Sequence, residues 1–176
     1  MSYIFGAARQ NGFIVDDLDH AIHHWASTTG AGPFFALRHI PFEYFTYHGK
    51  PSTPDISLAL GYLGDLEIEL IEQHNDAPSP YQSFFSARGT GMHHMSSWTQ
   101  DYDGHMTDLA DRGRAPDCEG RIAGAARFAY FNSDAVDGSA FEVSDLGSSN
   151  EFGIIHDLVQ QASVGWNGTD PIRSFG

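Results

Sequence analysis

The chain has 176 residues, 41% of them hydrophobic, with 13 Phe, 7 Tyr and 3 Trp, enough for one packed domain or two small modules sharing a core. Nine basic against 23 acidic residues give a net charge of −14 with neutral histidines; such a surface repels phosphate backbones and anionic lipid, so neither nucleic acid nor a membrane is an expected partner. Cys118 is the single cysteine, which rules out an internal disulfide and fits a reducing compartment; with no run near the ~20 apolar residues of a membrane span and no signal-peptide features in "MSYIFGAARQNG", a cytoplasmic protein is expected.

Residues 9–15, "RQNGFIV", read as a short strand, and "DDLDHAIHHWASTTG" as a helix. Asp16 or Asp17 caps that helix, Leu18, Ile22 and Trp25 recur at helical spacing, and Gly30 ends it. "FALRHI" and "FEYFTYHG" are β-prone, and "KPSTP" is a loop. "DISLALGYLGDLEIELIEQ" gives two strands that turn at Gly64-Asp65. A connector follows, with helical character after Pro80. The pattern then restarts with a strand at 92–99 and a helix at 101–112 stopped by Gly113. Next come β-prone segments over 120–132, the turn "NSDAVDG" and the strand "SAFEVSD"; "NEFGIIHDLVQQASVGW" is a predicted C-terminal helix and "NGTDPIRSFG" a tail. The expected division is a βαβββ module over 8–73, a connector over 74–91, a second βαβββ module over 92–146, and a helix and tail over 147–176.

Subtraction supports a repeat. An offset of 84 places Gln10 on His94, Asp17 on Asp101 and Asp19 on Asp103, so "DLD" lies on "DYD" at the start of each helix. An offset of 73 places "LEIELIE" on "SAFEVSD" and Glu69 on Glu142. The first module therefore carries 11 extra residues, most naturally in "HIPFEYFTYHGKPSTPD". The class is α+β, with two modules related by a pseudo-twofold closing a curved, mostly antiparallel sheet into a trough.

Strand alternation sorts the faces. Leu66, Ile68 and Leu70 share one face and Glu67 and Glu69 the other; taken alone, a solvated face explains two such carboxylates better than a site does. His94, Ser96 and Trp98 share a face, with His93, Met95 and Ser97 opposite. The repeat register selects Gln10, Glu69, His94 and Glu142, one polar side chain from each of four strands. Two carboxylates, an imidazole and an amide oxygen suit a divalent cation such as Zn, Ni, Co, Mn or Mg, with a position open for substrate. Calcium sites do not use histidine. His20, His23, His24, His105 and His156 are expected on helix surfaces.

"QNGFIVDDLDHAIHHW", "LEIELIE", "GMHHMSSWTQDYD" and "GSAFEVSD" together resemble the vicinal oxygen chelate superfamily of glyoxalases, bleomycin-resistance proteins, methylmalonyl-CoA epimerases and extradiol dioxygenases, over about residues 8–146. The resemblance is strongest to the glyoxalase-like branch near the epimerase. It implies metal ligands at Gln10, Glu69, His94 and Glu142, with His93 turned toward helices or a module boundary. It also implies a homodimer, and an isomerase or lyase acting on a small carbonyl or thioester substrate through a metal-stabilised enolate. Glu142 is the favoured base and Glu69 the alternative. Glu67, Ser96, Trp98, Phe45 and Tyr47 are expected around the substrate pocket. The epimerase pattern has His and Gln where this chain has Gln10 and Glu69, and the dioxygenase pattern needs a second His, so both activities fit less well. With nine basic residues in all, a glutathione substrate is not favoured. A non-catalytic module binding a small ligand is the main alternative, and an extradiol-type dioxygenase the second.

Overall fold

Asp17 starts the first helix as the sequence suggests. Its backbone is extended, its carboxylate accepts a hydrogen bond from the His20 amide at 2.8 Å, and Gly30 ends the helix at a left-handed φ of 76°. The structure is a computed structural model that describes residues 2–146 and 150–175, without the side chains of residues 150–152. In the first half, β1 (Ala8–Ile14) leads into α1 (Leu18–Thr29), β2 (Phe34–Leu37), the hairpin β3 (Phe42–Tyr47) and β4 (Lys50–Pro51), then β5 (Ile56–Leu63) and β6 (Leu66–Gln73). The connector forms α2 (Pro80–Arg88), capped by Ser79. The second half repeats the order with β7 (Gly91–Thr99), α3 (Tyr102–Asp111), β8 (Cys118–Ile122), β9 (Arg127–Phe131) and β10 (Ala140–Asp145). Asp101 caps α3 as Asp17 caps α1.

Among the described residues the strands, with β11 (Ile172–Arg173) near the C-terminus, form one curved, mostly antiparallel sheet ordered β11-β2-β5-β6-β1-β7-β10-β9-β8-β3-β4. Each half closes its own βαβ crossover with a parallel pair, β1 with β6 and β7 with β10, and β1 joins β7 antiparallel at the pseudo-twofold. α1 covers the outer face, with Leu18 and Ile22 against Ile68 and Leu70; α3 does the same with Leu109 against Ala129 and Val143. The opposite face is the trough. It is filled by Ile56, Leu58, Leu60, Tyr81, Phe128 and Tyr130, with Val159 of the C-terminal helix α4 (Asn150–Ser163) laid against them.

Two expectations are corrected. The segment after α4 is not a free tail: Ile172–Arg173 forms β11, parallel to β2, and Phe175 packs on Phe35 with ring centroids 5.0 Å apart. Unpaired amides at the edge of β2 supply the template for it. Lys50 and Pro51, expected in a loop, form β4 against β3. The extra residues of the first half become this hairpin, and the other edge of β3 pairs with β8 of the second half.

Candidate functional site

The middle of the sheet brings four neighbouring strands together: β6 with Glu69, β1 with Gln10, β7 with His94 and β10 with Glu142. Gly12 of β1 lies opposite Glu69 on one side and His94 on the other. A Cβ at Gly12 would sit 1.9 Å from His94 Cε1, so the imidazole lies across the backbone of β1 where only glycine leaves room. His94 Nε2 is 3.3 Å from Glu69 Oε2 and 3.7 Å from Glu142 Oε2. One ligand atom from each of the three lies within 4.8 Å of the others, and all three side chains are buried.

Burial dominates the electrostatics. It pushes the Glu69 carboxyl up to about 8, with the Glu67 charge adding to it. Burial likewise raises Glu142, opposed by His94 and reinforced by the Glu69 charge, and it lowers His94. Glu69 Oε2 and His94 Nε2 are buried with no hydrogen-bond partner. Such orphaned atoms cost about 1–3 kcal/mol each, and donors sharing an ion at bonds of ~2 Å lie no more than ~4 Å apart. The separations of His94 Nε2 from Glu69 and from Glu142 meet that limit. The residues fit a hard or borderline divalent cation, and thiolate ligation is not in play, since Cys118 is buried among core side chains.

Gln10 is buried too, and its Nε2 donates to Glu67 Oε1 at 2.7 Å. The other Glu67 oxygen lies 2.7 Å from His156 Nδ1. The polar face of β6 is therefore not solvated: Glu67 is 0% exposed. His156, expected on a helix surface, is 3% exposed on the inner side of α4, its ring 4.3 Å from Trp98. A helix periodicity says which side chains share a stripe, not which stripe lands on a distant carboxylate; that is why His156 was expected on the surface.

The cavity beside these groups is walled by Ile40, Phe42, Leu58, Phe128 and Tyr130, with Trp98, Gln10, Glu69, Glu142 and His156 also facing it. Of the expected pocket residues, Trp98 lines this cavity, while Ser96 is buried next to it, paired with Glu142 in the ladder. Phe45 sits in the core, and the Tyr47 hydroxyl hydrogen-bonds Asp134 and, at 2.9 Å, Ser83. Phe42 of the same hairpin faces the cavity in their place. His20, His23 and His24 are exposed, as expected. His93 lies beside the His94 ring, in an aromatic nest of Tyr81 and Phe84 from α2 and Tyr130 from β9. Burial and neighbouring His94 hold it down at about 3. The sequence reading missed Gly12 and His156. A glycine inside an otherwise good strand was the available signal for the first.

Residues 9–131 match the model of the Glyoxalase/Bleomycin resistance protein/Dioxygenase superfamily. The chain belongs to that superfamily. Its fold is similar to methylmalonyl-CoA epimerase from Mycobacterium tuberculosis at a TM-score of 0.60, with 17% identity over 87% of this chain and 95% of that one. A Streptomyces coelicolor methylmalonyl-CoA epimerase, solved with 2-nitronate-propionyl-CoA, aligns at a TM-score of 0.55 and 17% identity, covering 81% of this chain and 97% of the other. A hypothetical protein from Bacillus halodurans aligns at 0.53 and 16% identity, over 81% and 96% of the two chains. At these identities the likeness is one of fold. No curated protein matches the chain. No helix among the described residues is long and apolar enough to cross a membrane.

Proposed function

We propose that this protein is a metal-dependent isomerase of the glyoxalase/epimerase type, moving a proton on the carbon beside a carbonyl of a small substrate. The observation that carries the reading is the convergence of Glu69, His94 and Glu142 around two buried, unpartnered ligand atoms at the edge of an apolar cavity. Gln10, Glu69, His94 and Glu142 would hold the cation. When bound, it supplies an electrophile for the carbonyl oxygen, which lowers the barrier to removing the neighbouring proton.

The chain's own groups do the rest. A carboxylate oxygen of Glu142 takes the proton; burial raises its basicity, the nearby Glu69 charge adds to the rise and His94 opposes it. Glu69 is the partner acid. Ile40, Phe42, Leu58 and Phe128 exclude water and orient the apolar body of the substrate. The cavity volume of about 40 Å³ holds a few waters, which suits the compact reacting end of a carbonyl compound. No Lys or Arg stands among the described lining residues, so a charged tail of a thioester would lie outside. One imidazole and two carboxylates meet here, not the two imidazoles and one carboxylate of the iron oxygenase set; that weighs against the dioxygenase reading. A cytoplasmic homodimer belongs to the same proposal.

The test begins with elemental analysis of protein purified without chelator, and continues with deuterium exchange into 2-oxo compounds and acyl thioesters, followed by NMR. About one divalent ion per chain is expected, together with exchange that Glu142→Gln abolishes. Metal-free protein that binds an apolar ligand without exchange would make it a binding module instead.

A further inference from the structure

The two adjacent imidazoles of β7 touch. His93 Nδ1 and His94 Nδ1 are 3.1 Å apart, and His93 Nε2 is 3.0 Å from the carbonyl oxygen of Ser133. Both rings are fully buried. A carbonyl oxygen only accepts, so His93 Nε2 carries a hydrogen. Two nitrogens at hydrogen-bond distance share one hydrogen, so one Nδ1 is bare. A doubly protonated His93 would be a buried cation whose hydrogen-bond partners are a carbonyl and a second imidazole, inside a nest of Tyr81, Phe84 and Tyr130, and that costs several kcal/mol. His93 Nδ1 is therefore the acceptor and His94 Nδ1 the donor. The remaining nitrogen, His94 Nε2, is buried and meets no hydrogen-bond acceptor, so a hydrogen there would be left unpaired; it carries a lone pair, and it is the one facing Glu69 and Glu142.

We infer that His93 is a positioning residue: the Ser133 carbonyl sets its tautomer, and through that tautomer it presents the bare Nε2 of His94 to the metal site. The support continues outward. The Ser133 amide donates to Asp117 Oδ2 at 3.0 Å, and Asn132, in the left-handed region at a φ of 56°, turns the chain after β9 so that Ser133 reaches β7. This chain of contacts links β7 of the sheet centre to the β9–β10 loop. The inference rests on the proposed cation site for its purpose, yet the tautomers themselves are a property of the metal-free protein.

Long-range proton–nitrogen NMR of metal-free protein with labelled histidine reads them directly. The expected result is His93 protonated at Nε2 only and His94 at Nδ1 only. Hydrogen on His94 Nε2, or on His93 Nδ1, overturns the inference whatever the metal does. Cobalt(II) titration, followed by calorimetry and visible spectra, tests the consequence. His93→Leu should weaken binding about 10–100-fold, and His93→Gln, which can accept from His94 and donate to Ser133, should recover most of it. Wild-type affinity in a folded His93→Leu protein overturns the positioning role. Wild-type protein that binds no cobalt(II), yet shows the expected tautomers, sinks the cation site and leaves the hydrogen-bond relay standing; if His93→Leu does not fold, the tautomers of the wild type decide.

Discussion

The two halves of the sheet began from one plan and diverged at matched positions. The offset that pairs Glu69 with Glu142 also pairs Glu67 with Ala140, and both are 0% exposed. Ala140 asks nothing of its surroundings. Glu67 needs donors for both oxygens, and takes one from Gln10 of its own half and one from His156 of α4, outside the repeat. Asp19 and Asp103 are likewise equivalent, and each meets an arginine. Arg38 and Asp19 form an exposed pair, whereas Arg127 holds both Asp103 and the buried Asp145, and lies 4.5 Å over the Tyr102 ring. The first half has invested its difference at the site, the second in its outer frame.

The largest effect should come from making the halves alike. Glu67→Ala leaves the Gln10 amide and the His156 Nδ1 without their common acceptor, and should cost about 3–5 kcal/mol in denaturant unfolding. In the double variant with His156→Leu, a coupling of ~0.5–3 kcal/mol is expected; strictly additive losses would mean that the two side chains do not act together. Gly12→Ala drives a Cβ into the His94 ring and should cost about 1–3 kcal/mol, with metal affinity falling ~10–100-fold by calorimetry. An unchanged affinity would remove His94 from the site.

Third is pH. Glu69 stands at about 8 in the folded chain against an ordinary 4.5, so between those values the folded form binds more protons than the unfolded one. Its contribution to the stability of metal-free protein is thus complete below 4.5, and is lost as pH rises through about 8, at no more than ~1.4 kcal/mol per pH unit. Glu69→Gln should flatten that decline; a wild-type profile rising over the same range would contradict it. Smallest are the frame pairs. Arg127→Ala should cost about 1–3 kcal/mol, and Arg38→Ala within ~0.5. Equal costs would erase the contrast between the halves.

Much of the frame was legible in the sequence because its signals are local. Asp17 and Gly30 mark α1 by their own backbone preferences, and the period of two in "LEIELIE" correctly turned Ile68 and Leu70 toward α1. The register of the repeat also put Gln10, Glu69, His94 and Glu142 on adjoining strands. What escaped was whatever depends on a partner far along the chain. Alternation separates the faces of β6 but does not say that α4 covers one of them, so Glu67 was read as a pocket or solvated acid and His156 as a surface histidine. The crossing of β3 to β8 is equally silent, since a β-prone hairpin carries no mark of whose edge it will join. His93 meets Tyr81 and Phe84 of α2, in line with a residue expected to face helices, while its contact with His94 was not foreseen.

That crossing hairpin makes the molecule hard to take apart. Tyr47 bonds Asp134 and Ser83, and His48 Nε2 lies 2.9 Å from Asp134 Oδ2, so the hairpin's far end is clasped by the second half and by α2. A protease nick in the linker around 74–79 would leave the two pieces zipped along β3–β8 as well as β1–β7. Exchange of halves between two copies would have to break both seams at once.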